Sequence, residues 1–151
     1  MNSEYVWFKF AHILIAVIAL GTSAGLGILL EFFGDHPTHG VFVLRAIRRL
    51  LYCVVVPGYM LMLGTGIWLA HLASLLDAHW AERAMQLWGV GALLISLSLV
   101  AIHKQVSLIS TTGPTSPAYR TVAWVGRLFG GGAGLVIVVI IYYMVFKPDA
   151  A

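Results

Sequence analysis

The sequence predicts an all-α protein: an integral membrane bundle of four helices running up-down-up-down, with no soluble domain. Three observations predict it. Of 151 residues, 60% are hydrophobic and only 10% charged, against about 45–50% and about 25% in soluble domains, and the mean hydropathy is +0.92. The apolar residues gather in four stretches, each longer than the ~20 residues that cross a ~30 Å hydrocarbon core. The links between them are short and carry Gly, Pro, Asp and Ser, which sets sequential helices antiparallel. The same composition excludes disorder, which needs low hydrophobicity and high charge. The net charge of +3 comes from nine basic residues that are scattered or in one short cluster, so no nucleic-acid footprint is present. A single cysteine, Cys53, excludes a disulfide framework or a multi-cysteine zinc site within one chain. The length suits one domain over residues 1–151.

The first stretch runs from about Tyr5 to Phe33. It is too long for the apolar core of a secretory signal, and Glu4 precedes it, so it is expected to stay in the mature chain. A turn over Gly34-Asp35-His36-Pro37-Thr38-His39-Gly40 follows. The second stretch, about Val43 to Leu72, contains Pro57-Gly58 and is expected to kink there. Asp77 to Glu82 reads as the next connection, with Asp77 as a helix N-cap. The third stretch spans about Met85 to Ile109, and the fourth about Ala118 to Phe146. Pro117 fits the first turn of the fourth. The excess length of all four implies tilt.

Orientation follows from the basic residues near short loops. Arg45, Arg48, Arg49, Lys104 and Arg120 belong to the side of the first and third connections, and Lys9, Arg83 and Lys147 to the other. That bias puts the first and third connections in the cytoplasm and both termini outside, in the inner membrane of a bacterium. Trp7, Trp68, Trp80 and Tyr119 fall near helix ends, where aromatic belts sit.

Ionisable residues inside spanning helices are expensive and often functional. His12 lies two turns into the first helix and shares a face with Ala16, Ala19 and Ser23. This small, weakly polar stripe suits the bundle interior. His71, near the end of the second helix, belongs on the same side of the membrane as His12. Two imidazoles from neighbouring helices can supply both axial ligands of a b-type haem, which makes His12 and His71 the candidate metal ligands. The alternatives are a structural hydrogen bond for His12 and an interfacial position for His71. His79 is a substitute in the following connection. His103, on the third helix, has a face running back through Ser96, Ala92 and Gly89 that reads as inward. It lies on the order of 20 Å from His12 along the bundle, so it serves a second site or packing. Arg127, inside the fourth helix, needs water, an acid, backbone carbonyls or an anionic ligand; a haem propionate, a lipid phosphate and a carboxylate all fit its guanidinium. Snorkelling to the interface is its other reading. Glu31 is expected to be solvated.

Gly126, Gly130 and Gly134 repeat at four-residue steps on the fourth helix, as Gly21 and Gly25 do on the first. Such steps serve close helix packing, within the bundle or in a homo-oligomer, or make room for a flat macrocycle. No phosphate loop, acid–base carboxylate pair, Ser-His-Asp set or copper relay is recognisable.

The segment Trp7-Phe8-Lys9-Phe10-Ala11-His12-Ile13 resembles the opening of the four-helix membrane protoporphyrinogen oxidases of the HemJ type. Pro57 and Gly64 in the second helix, Trp88 and His103 in the third, and the close Val145-Phe146-Lys147-Pro148 are loosely similar. The resemblance extends to copper-resistance D-like proteins and to predicted integral membrane proteins related to them. It implies a four-helix bundle with His12 in a porphyrin or haem site. The lysine that accompanies the essential histidine in that family has no counterpart around Ala92, and the family's Asn-Glu-x-Pro segment is replaced around Gly126-Arg127-Leu128-Phe129.

Residues and resemblance together lead to the expectation of a membrane b-type haem protein, with His12, His71, His103 and Arg127 as cofactor-binding candidates. It would carry single electrons, with quinone or a redox protein as partner. The competing expectation is a non-enzymatic membrane subunit, assembly factor or small transporter without cofactor. Porphyrinogen oxidation is a third.

Overall fold

The computed structural model describes residues 3–148. Every element in it is helical: α1 (Ser3–Phe33), α2 (Gly40–Leu50), a π-helical turn over Leu51–Val55, α3 (Val56–Leu72), α4 (His79–Thr111) and α5 (Pro117–Phe146). Because α2, the π turn and α3 run on as one segment, four helical segments are long and apolar enough to cross a membrane.

The irregularity expected at Pro57-Gly58 lies one turn earlier. Pro57 stands in the first turn of α3. A proline ring has no N–H to give and collides with the carbonyl four residues back, and the widened π turn over Leu51–Val55 takes up that conflict. The third apolar helix also begins earlier than expected. His79, Trp80, Ala81 and Glu82 form the first turn of α4 rather than a connection, and the N-cap is Ala78, not Asp77. Ala81 and Ala84 are buried, so packing of this turn outweighs the missing side-chain cap. Glu82 accepts a hydrogen bond from Gln86 Nε2 at 3.2 Å, one turn on. Ser116, just before Pro117, caps α5 by accepting from the Tyr119 N–H at 3.2 Å.

The segments pack as two pairs. α1 lies on α3, α4 lies on α5, and α2 joins the pairs by touching both α1 and α4. The buried core is concentrated there: Leu26 of α1, Leu44 and Ile47 of α2, Ile102 and Ile109 of α4, and Tyr119 of α5. Much of the remaining apolar surface, including Phe10, Phe32, Trp124, Leu135 and Phe146, points away from the protein.

Two contacts bring the first connection against the third. The Tyr119 hydroxyl, fully buried, donates to the Gly34 carbonyl at 2.8 Å. Gly40 has room only for hydrogen, because a Cβ there would lie 2.8 Å from Ile109 Cδ1. At the far end, Phe8 meets Trp68 with ring centroids 5.9 Å apart, and Lys147 Nζ sits 5.5 Å from the centre of the Trp80 ring. Replacing Tyr119 by phenylalanine removes a bond that ties α5 to the backbone just past α1. The expected cost is about 1 kcal/mol, read as a lower Tm in detergent; an unchanged Tm would mean that the Gly34 carbonyl takes another donor.

Candidate functional site

The packing of α1 on α3 places His12. At its closest approach Ala19 faces Gly58, where a Cβ would lie 2.6 Å from Ala19 Cβ. Moving seven residues back along α1 reaches His12, and seven forward along α3 reaches Thr65. Each step is two turns, ~10 Å, so two helices of opposite direction bring these residues together. His12 Nδ1 is 2.7 Å from Thr65 Oγ1. The Thr65 hydroxyl is itself 2.7 Å from the Leu61 carbonyl and has one proton to give. With that proton on Leu61, His12 donates from Nδ1–H to Thr65, and Nε2 keeps a free lone pair. Gly66 completes the seat: a Cβ there would press to 3.3 Å from His12 Cε1. The small stripe read on α1 therefore does face a neighbour, with Ala19 buried and His12 half-buried.

The other candidates are elsewhere. His71 is exposed, its ring 5.9 Å from Trp68. It stands six residues past Thr65, ~9 Å along α3 and ~120° around it, so the two imidazoles do not face one another. His79 is exposed in the first turn of α4. His103 is exposed too, which corrects the inward face read through Ser96, Ala92 and Gly89. The packed face of α4 instead carries Ala84, Gly91, Ala101 and Gln105. The reason lies in α5: Gly126 admits Ala101 and Gln105, and this sets the rotation of α4. Ser96 satisfies its hydroxyl on its own helix, donating to the Ala92 carbonyl at 2.8 Å. Among the described residues, no group of three or more His, Cys, Asp or Glu is arranged to hold a metal.

Arg127 finds acids. Its Nη2 donates to Asp35 Oδ2 at 2.9 Å, and its Nε lies 3.1 Å from Glu31 Oε2, without hydrogen-bond alignment. Glu31, expected to be solvated, is exposed but paired. With Arg120, Thr121 and Trp124, Arg127 lines an open cleft of about 460 Å³. Glu31 is nineteen residues from His12 on α1, ~28 Å along the helix. His12 and Arg127 thus belong to two separate places.

Four residues were not read from the sequence as part of a site. Thr65 and Gly66 stand in the run Gly64-Thr65-Gly66, a polar residue between glycines inside an apolar helix, which is a visible signal. Asp35 stands two residues past the end of α1, and nothing local marks it. Gln105 is 1% exposed, and neither amide atom has a hydrogen-bond partner; Ser98 Oγ and Trp88 Nε1 are also buried without one. The Trp88 ring stacks on Tyr59 at 4.9 Å, and the Tyr59 hydroxyl donates to the Trp88 carbonyl at 3.1 Å. This joins α3 to α4.

Comparison of the chain with known protein families, curated proteins and solved structures finds no match.

Proposed function

We propose that this chain is an integral membrane protein whose four helical segments cross the bilayer up-down-up-down, and that it binds b-type haem through His12 Nε2 to carry single electrons. The outward apolar surface supports the membrane reading, since water would penalise patches of this extent. Arg45, Arg48, Arg49, Lys104 and Arg120 favour cytoplasmic first and third connections with both termini outside, in a bacterial inner membrane.

The observation that carries the haem reading is the seat of His12. A ligating histidine typically gives its second ring N–H to an oxygen acceptor, which fixes the tautomer and aims the other nitrogen. Thr65 is such an acceptor, and Gly66 leaves the ring its space. His12 would hold the group through Nε2. His71, turned towards Trp68, would not share that role in this conformation. Bound haem would supply one-electron chemistry, with quinone or a redox protein as partner. What the chain itself does is hold the imidazole oriented between two helices.

A second reading, a membrane subunit or assembly factor without cofactor, is favoured by a different observation. A Cβ at Gly21, Gly25 or Gly134 would meet nothing within 4 Å outside its own helix turn. Their open faces suit another helix, from a partner or a second copy.

An absorption spectrum of detergent-purified protein, oxidised and then reduced, separates the two. The haem reading expects a Soret band in the wild type that His12→Ala abolishes. It expects Thr65→Val to keep the band and raise the reduction potential, because the lost Nδ1–H acceptor makes the imidazole a weaker donor to oxidised iron. A wild type that stays colourless after haem supplementation overturns it in favour of the subunit.

A further inference from the structure

Between α4 and α5, near the third connection, runs a second, smaller groove of about 170 Å³. Its walls are apolar: Leu97 and Val100 on α4, Val125 and Phe129 on α5. Lys104 and Thr121 stand at its end nearest the connection. From that end the lining extends seven residues back along α4 and eight forward along α5, ~10–12 Å. Lys104 is exposed and makes no ion pair among the described residues, while the acids of this end, Glu31 and Asp35, are both taken by Arg127. Thr121 also borders the polar cleft of about 460 Å³ that Arg120 and Arg127 line. A cation at the outer end of an apolar groove, with a roomy polar cleft next to it, has the polarity of one class of molecule.

We infer that this groove binds an anionic phospholipid, with part of one acyl chain between Val100, Val125 and Phe129, the phosphate at Lys104, and the remaining headgroup towards the Arg120 cleft. The unpaired ammonium favours a net negative headgroup over a zwitterionic one, whose own cation it repels. The apolar walls favour a lipid over a free anion. The inference rests on the membrane reading and is independent of haem.

Native mass spectrometry of the full chain, released from detergent after incubation with phosphatidylglycerol or phosphatidylcholine, tests it. The wild type is expected to retain one phosphatidylglycerol at least fivefold more often than phosphatidylcholine. Lys104→Gln should bring that ratio to within twofold, and Val125→Trp, which fills the groove, should abolish retention of both. Circular dichroism and an unchanged elution volume establish that each variant is folded. Equal retention of the two lipids by the wild type overturns the inference, as does a folded Val125→Trp that holds phosphatidylglycerol normally. Displacement of phosphatidylglycerol by millimolar inorganic phosphate would assign the site to a free anion and overturn the lipid. Alkaline carbonate extraction reports separately on the membrane reading: a chain released by carbonate fails that reading, whatever lipid it binds.

Discussion

Gly126→Leu is expected to cause the largest loss of stability of any single substitution on the glycine stripe. A Cβ at Gly126 would lie 2.8 Å from Gln105 Nε2 and 3.2 Å from Ala101 Cβ. Leucine adds three carbons beyond that point, between two helices that make the most extensive contact in the protein. Gln105 cannot swing clear, because it is itself buried. Over-packing costs about 1–3 kcal/mol and at times more, and this site belongs at the upper end. Gly134→Leu is the control, since a Cβ at Gly134 would meet nothing within 4 Å outside its own helix turn. It should change stability by less than about 0.5 kcal/mol, as surface substitutions do. Thermal unfolding of both variants in one detergent decides the matter. Equal Tm values would mean that α4 and α5 are not packed through Gly126.

Arg127→Leu comes second. It removes the ion pair with Glu31 and the hydrogen bond to Asp35, and it leaves two carboxylates without their cation. Hydrogen bonds to charged groups contribute about 1.5–3 kcal/mol. Glu31 and Asp35 are half exposed or more, and screening lowers the value of such pairs, so a loss of about 2 kcal/mol is expected. The variant should melt earlier in detergent. Asp35→Asn added to it should cost little more, because the second change removes a group whose partner has gone. Full additivity would show that the two side chains do not interact. The same variant divides structure from cofactor chemistry: with His12 ~28 Å away along α1, Arg127→Leu should keep any Soret band, whereas a lost band in a folded protein would return Arg127 to the haem site.

Much of the His12 seat was legible in the sequence, and its partner was not. The spacing of His12, Ala16 and Ala19 identifies the face of α1 that packs. The meeting with Thr65 depends on the slide of α1 along α3, which Ala19 against Gly58 decides. A one-residue slip would put a different side chain opposite His12. For Arg127 the need for a partner follows from its place in an apolar helix, but Glu31 and Asp35 become its partners through the packing at this end, where the buried Tyr119 hydroxyl donates to Gly34. His103 was misread because two of the faces of α4 carry small residues. The one with Gly89, Ala92 and Ser96 is as small as the one α5 selects. The early start of α4 was hidden by Asp77, an apparent cap whose role passed to Ala78. The π turn was foreshadowed by Pro57 but not located by it.

The sequence by itself determined four helices, their approximate limits and their apolar character. These are local properties: a helix closes its backbone bonds four residues away, and hydropathy belongs to each side chain and its run of neighbours. Which face of each helix is covered was decided only by tertiary structure. Successive residues are 100° apart around a helix, so a small rotation exchanges His103 for Gln105 at an interface. The two residues with the most to say about function divide along that line. His12 is marked by its place in an apolar run, whereas Thr65, fifty-three residues away, comes to stand opposite its Nδ1 only through the packing of α1 on α3.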